Sequence, residues 1–132
     1  MSEQETRAVV DALYDAFLAG DADGMLALFG DDIAVRFLGQ AELRGLEEAK
    51  AFFDFAGGLL EDLDFQIEKK IIDGDWAAVV WTETATTTDG APWENHGVDV
   101  LRVSGSDIVV LHENNDVRLV HAHFPRYEPT ID

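Results

Sequence analysis

The stretch GVDVLRV (97–103), followed by SGSD (104–107) and IVVLHENN (108–115), decides how the chain is read. Two runs of alternating β-branched residues separated by a Gly/Ser turn make a β-hairpin. Asp99, Glu113 and Asn115 nevertheless stand at positions where such strands carry apolar side chains. Asp99, Leu101 and Val103 share one side of the first arm, and Leu111, Glu113, Asn115 and Val117 share one side of the second. A loop of Gly105-Ser106-Asp107 would set Asp99 opposite Glu113, whereas a four-residue loop would set it opposite His112, and both registers stay open.

Upstream of the hairpin, Ser2 and Glu5 have the form of a capping box, and Val9, Val10, Leu13, Tyr14 and Phe17 recur at helical spacing until Gly20. DADGMLALFG reads as a short second helix with Met25, Leu28 and Phe29 on one face. Ile33, Val35 and Phe37 alternate as a first strand. Leu46, Ala49, Phe52, Phe53 and Ala56 then predict a third helix ended by Gly57-Gly58. From Leu63 the period becomes two, predicting strands around DFQIEKKIID, WAAVVWTETATT, ENHGVDVLRV and IVVLHENNDVRLV. Helix, helix, strand, helix and a four-strand meander make one α+β domain over 1–132, its helices laid on one face of a mainly antiparallel sheet. The tail PRYEPTID, with Pro125 and Pro129, reads as loosely held.

The hairpin is apolar on both sides, since Val98 and Val100 point away from Asp99. With the helices on one face, a second copy covering the other is expected, giving a symmetric homodimer through the outer sheet face.

Composition narrows the partners. The 132 residues carry 27 acidic and 9 basic side chains, a formal net charge of −18, so nucleic acid and anionic membranes are unfavourable partners. Without cysteine there is no disulfide, thiolate nucleophile or Cys-bound metal. MSEQETRAVV lacks an apolar run after a basic start, and no run approaches spanning length, so a cytoplasmic protein is expected.

Two carboxyls facing one apolar hollow cannot both ionise cheaply. If Asp99 and Glu113 do so, they hold one proton between them at neutral pH, one acting as acid and the other as base, with Asn115 placed to hold a water or a substrate oxygen. The same trio would also serve as a buried polar network that fixes strand register. His96, His112, His121 and His123 do not assemble a ligand set, and His121 and His123 alone on one strand side are too few, so no metal is expected. His96 alternates away from Asp99, toward the outside. Arg36 reads as a surface cation, and Gly97 as a missing side chain that widens the pocket or lets the sheet bend. Trp81 shares its side with Glu83 and is placed on the pocket wall, while Trp76 and Trp93 read as core.

The element order, together with LYDAFLAGDADGMLALFGDDIAV, GVDVLRV and IVVLHENND, resembles the nuclear transport factor 2-like superfamily and its SnoaL-like group over nearly the whole chain. That resemblance implies a cone in which a strongly curved sheet wraps three N-terminal helices around an apolar pocket, a homodimer, and no cofactor. It also implies that Asp99, Leu111, Glu113 and Asn115 face the pocket, with Tyr14, Phe37, Trp81, Leu101 and Leu111 as ligand-contacting residues. Compared with ketosteroid isomerase, Asp99 matches the protonated acid of the oxyanion hole. The partner tyrosine of that hole falls on Leu13 by residue count, and the general base on Phe37. Compared with limonene epoxide hydrolase, Asp99 and Glu113 match the two acids, and the bridging arginine falls on Gly97. SnoaL-type polyketide cyclases need only one pocket acid. The resemblance therefore implies a small, mostly apolar ligand and either cofactor-free acid-base chemistry of isomerase, epoxide-hydrolase or cyclase type or, alternatively, a non-catalytic binding module.

Overall fold

The computed structural model describes residues 2–37 and 41–123, apart from the side chains of Ala41 and His121; the Pro125 and Pro129 tail lies outside them. The chain folds as α1 (Glu3–Leu18), α2 (Ala22–Leu26), β1 (Phe29–Phe37), β2 (Ala41–Arg44), α3 (Leu46–Gly57), β3 (Leu60–Asp73), β4 (Trp76–Thr87), β5 (Pro92–Ser104), β6 (Asp107–Asn115) and α4 (Val117–His123). The six strands form one curved sheet in the order β2-β1-β6-β5-β4-β3, antiparallel throughout except where β1 runs parallel to β6.

Helix α1 begins where Ser2 accepts the Glu5 N–H at 3.1 Å. One turn on, the buried Thr6 hydroxyl donates to the Gly74 carbonyl at 2.7 Å, tying the helix start to the β3–β4 turn. From there α1 runs over β3, β4 and β5, while α3 covers β1 and β2. Val10, Val79, Leu101, Val103 and Ile108 fill the space under the first half of α1 with no exposure to solvent. Under its second half, Tyr14 and Phe17 reach Phe65 on the sheet but leave a space beside them. That asymmetry leaves a cavity at one end of the sheet and a close-packed core at the other.

Three predicted elements differ from those observed. The second helix stops at Leu26, and Phe29 instead opens β1. The short strand β2 was not anticipated. The last predicted strand ends at Asn115, because the Asp116 carboxylate accepts the N–H groups of Arg118 and Leu119 at 3.1 and 3.4 Å and starts α4. His121 and His123 therefore lie on a helix, not on one side of a strand; the side chain of His121 is outside the described residues.

The hairpin that governs the site uses neither loop length considered from sequence. Ser104 pairs with Asp107 around a two-residue turn, Gly105-Ser106, with Gly105 at φ +63°. Continued unchanged, that register would put His112 opposite Asp99. Between Val103↔Ile108 and Arg102↔Val110, however, Val109 is an extra residue, a bulge that shifts all later pairs by one. Leu101 then faces Leu111, Asp99 faces Glu113 and Gly97 faces Asn115.

Candidate functional site

The cavity has a volume of about 410 Å³ and is walled by α1, α2, α3, the inner faces of β4, β5 and β6, Phe37 at the end of β1 and the first residues of β3. Tyr14, Phe37, Trp81, Asp99, Leu111, Glu113 and Asn115 all lie on its wall. Leu101 does not. It is wholly buried in the core beside its cross-strand partner Leu111, so its assignment as a ligand contact is corrected to a packing role.

Both oxygens of Asp99 are held. The Tyr14 hydroxyl donates to Oδ2 at 2.6 Å, and the Trp81 indole N–H donates to Oδ1 at 2.9 Å. The residue count that placed the tyrosine position on Leu13 was one short: Leu13 also touches the cavity, but Tyr14 makes the bond. Trp81 reaches Asp99 because it stands opposite Gly97. A Cβ on Gly97 would lie 2.2 Å from the Asn114 carbonyl oxygen and 2.6 Å from Cζ2 of the indole. The space left by the missing side chain is filled by the indole and so does not widen the pocket. It makes room for a ring.

Glu83 and Asn95, a cross-strand pair on β4 and β5, were not singled out from sequence. Glu83 accepts the Trp93 indole N–H at 3.1 Å. Asn95 Oδ1 accepts the backbone N–H groups of His96 at 2.9 Å and Asp116 at 3.4 Å, joining β5 to the start of α4. Alternation from Trp81 to Glu83 and back from Asp99 to Asn95 and Trp93 carried the signal.

Three carboxyls therefore face one hollow, and each resists ionisation. Burial pushes Asp99 up to about 6, against the pull of the Tyr14 and Trp81 hydrogen bonds, and the charge of Glu83 adds to the rise. Glu113 is raised well above the usual carboxylate range by burial, then by the charges of Asp99 and Glu83. Its exposure is intermediate because it faces the cavity, and no hydrogen bond to it is made among the described residues. Burial also raises Glu83, with the Trp93 and Asn95 hydrogen bonds opposing it. Tyr14 is held protonated by burial and by Asp99. Asn115 Oδ1 is buried without a hydrogen-bond partner among the described residues.

Outside the cavity, His96 is exposed, as its alternation predicted. Arg36 is only half-buried surface: its guanidinium lies 3.2 Å from His112 Nδ1 on the outer face of the sheet, and Nε is buried without a partner among the described residues. Trp76 is 44% exposed and packs under the Arg102 guanidinium at 5.8 Å, so its reading as core is corrected to the rim of the outer face. Trp93, read as core, is buried but also borders the cavity.

Fold and wall define an α+β cone with an acid-lined internal cavity. The chain belongs to the SnoaL-like domain family, whose model matches residues 10–111. No curated protein matches it. Among solved structures it is similar to a putative SnoaL-like polyketide cyclase from Jannaschia sp. CCS1, with a TM-score of 0.81 and 16% identity over 91% of both chains. A Mycobacterium tuberculosis protein in complex with estradiol-17beta-hemisuccinate superposes with a TM-score of 0.74 and 20% identity, covering 87% of this chain and 96% of that one. A ketosteroid isomerase-like protein from Catenulispora acidiphila in complex with trimethylamine gives 0.76 and 18%, covering 87% and 90%. At these identities the likeness shows the fold. Among the described residues, no helix is long and apolar enough to cross a membrane.

Proposed function

We propose that this SnoaL-like protein binds a small, mostly apolar molecule in the cavity and moves a proton on it without a cofactor, as a cytoplasmic enzyme. The observation that carries this reading is the Asp99–Glu113 pair. Asp99 accepts two hydrogen bonds and so favours its ionised form, whereas Glu113, directly opposite, has none and lies within reach of that charge. The shared proton therefore rests on Glu113. Glu113 is the general acid toward a substrate oxygen, Asp99 is the fixed charge and base beside it, and Asn115 orients the oxygen or a water. Structural neighbours that hold a steroid ester or trimethylamine support small-molecule binding in such a cone.

Isomerase, epoxide-hydrolase and aldol-cyclase chemistries all fit this pair. The test is turnover of an enolisable ketone, an epoxide and an aldol precursor by the wild type and by Glu113→Gln. Acceleration lost in Glu113→Gln supports the assignment, and acceleration that survives the substitution overturns it. A binding module is the second reading. It is favoured by Phe37, an apolar side chain at the position where ketosteroid isomerase carries its base. Ligand retention with no turnover of any class would decide for it.

A symmetric homodimer through the outer sheet face belongs to the same proposal. Val80, Val98 and Val100 lie there only half-buried, with Ile71 47% exposed beside them.

A further inference from the structure

The polar inventory of the cavity is unbalanced. Its fixed donors are already taken, because the Tyr14 hydroxyl and the Trp81 indole N–H bond to Asp99, and the Trp93 indole N–H bonds to Glu83. What faces the hollow is mostly acceptor capacity: the oxygens of Glu113, one of them carrying the shared proton, the partnerless Oδ1 of Asn115, and the remaining lone pairs of Asp99 and Glu83. Against these stand the amide N–H groups of Asn115, those of Asn95, which reach Glu83, and the proton that the Asp99–Glu113 pair retains. Among the described residues, no lysine, arginine or histidine borders the cavity.

Part of the apolar wall is aromatic. Tyr14, Phe65 and Trp81 form a continuous stack, with ring centroids 6.1 Å apart between the first two and 5.3 Å between the last two. Such faces attract a cation that is too weakly hydrated to stay in water. The carboxyls suit a large cation better than a metal, since no three of them are grouped to hold a metal ion among the described residues.

We infer that the occupant of this cavity is an apolar molecule carrying a protonated or quaternary amine, its nitrogen directed between Asp99 and Glu113, where it displaces the proton they share, and its hydrocarbon laid on the Tyr14–Phe65–Trp81 stack. The inference rests on the ligand-binding reading above and narrows it. A neutral ketone brings one more acceptor to a wall already rich in them. An ammonium supplies both the missing donor and the missing positive charge, and in doing so relieves the repulsion among Glu83, Asp99 and Glu113.

Two probes of nearly equal size separate the alternatives: dimethylphenethylamine, cationic at neutral pH, and benzylacetone, neutral. Binding to the wild-type protein is read by Trp81 and Trp93 fluorescence and by calorimetry at pH 7.5. The amine is expected to bind roughly tenfold tighter than the ketone or more, and the ratio to fall several-fold in Glu113→Gln once circular dichroism shows that variant folded. Equal binding, or a preference for the ketone, overturns the cation inference and leaves the pocket reading in place. Binding of neither probe overturns both. An unchanged ratio in folded Glu113→Gln removes Glu113 as the counter-ion and overturns the inference as stated.

Discussion

Trp81 lies across the bare backbone of Gly97 and passes its indole N–H to Asp99 at 2.9 Å. A single missing Cβ therefore decides the hydrogen bonding of a carboxyl two residues along the same strand. Gly97→Ala would press a methyl group into both the Asn114 carbonyl and the indole. We expect a loss of about 2 kcal/mol or more of stability, read by denaturant melts, with a red-shifted tryptophan emission as the ring leaves its place. A variant that melts like the wild type would show that the indole does not sit there.

Stability should rise as the solution is made mildly acidic. Asp99 titrates at about 6 in the fold, against 3.8 when unperturbed, and Glu113 is raised as well. The folded protein thus binds more protons than the unfolded chain between those limits, and unfolding free energy falls as pH increases through that window. Lowering the pH from 7.5 to 5 is expected to add on the order of 1–3 kcal/mol. Relief of the overall negative charge pushes the same way, so the diagnostic is the difference between proteins: Asp99→Asn and Glu113→Gln should each flatten the slope in urea melts at successive pH values.

Tyr14→Phe removes the shorter of the two donors on Asp99. The expected cost is about 1–3 kcal/mol at pH 7.5, where the carboxylate would lose a charge-assisted bond, and less at pH 5, where it is protonated. Carbon-labelled aspartate followed by NMR should show the Asp99 titration move above its wild-type midpoint of about 6. A titration that moves down instead would contradict the assigned direction of donation.

Val98→Glu or Val100→Glu should convert a dimer to a monomer in sedimentation at micromolar concentration, because each buries a charge against the proposed partner while leaving the cavity side untouched. A monomeric wild type would end the dimer proposal.

Much of the architecture was legible because local signals agreed. The capping serine, the Val10–Leu13–Tyr14–Phe17 face and the change of period after Leu63 all point to the elements observed. The end of the chain misled because Val117 and Leu119 continue the alternation of β6, yet Asp116 offers its carboxylate as a helix cap and Val120, three residues after Val117, is the one buried at zero exposure. Short-range alternation lost to capping. Asp99, Glu113 and Asn115 were found by asking why polar groups occupy strand positions that favour apolar ones. Alternation put Glu83 on the side of Trp81 and Asn95 on the side of Asp99, but that the two meet depends on how β4 registers against β5, which no local pattern records. Leu101 alternates with the wall residues but lies past the point where the helix layer closes on the sheet, a depth that periodicity does not measure.

The bulge at Val109 gives the hairpin the character of a reading frame. Were the ladder to run on without the bulge, pairing Val109 with Arg102, the second arm would turn its other side inward, bringing His112 and Asn114 to the hollow and sending Glu113 to the outer face. An imidazole would then oppose Asp99 in place of a second acid, with no residue of the wall itself altered. The chemistry available to this scaffold is accordingly open to change by a slip of register far more abruptly than by substitution.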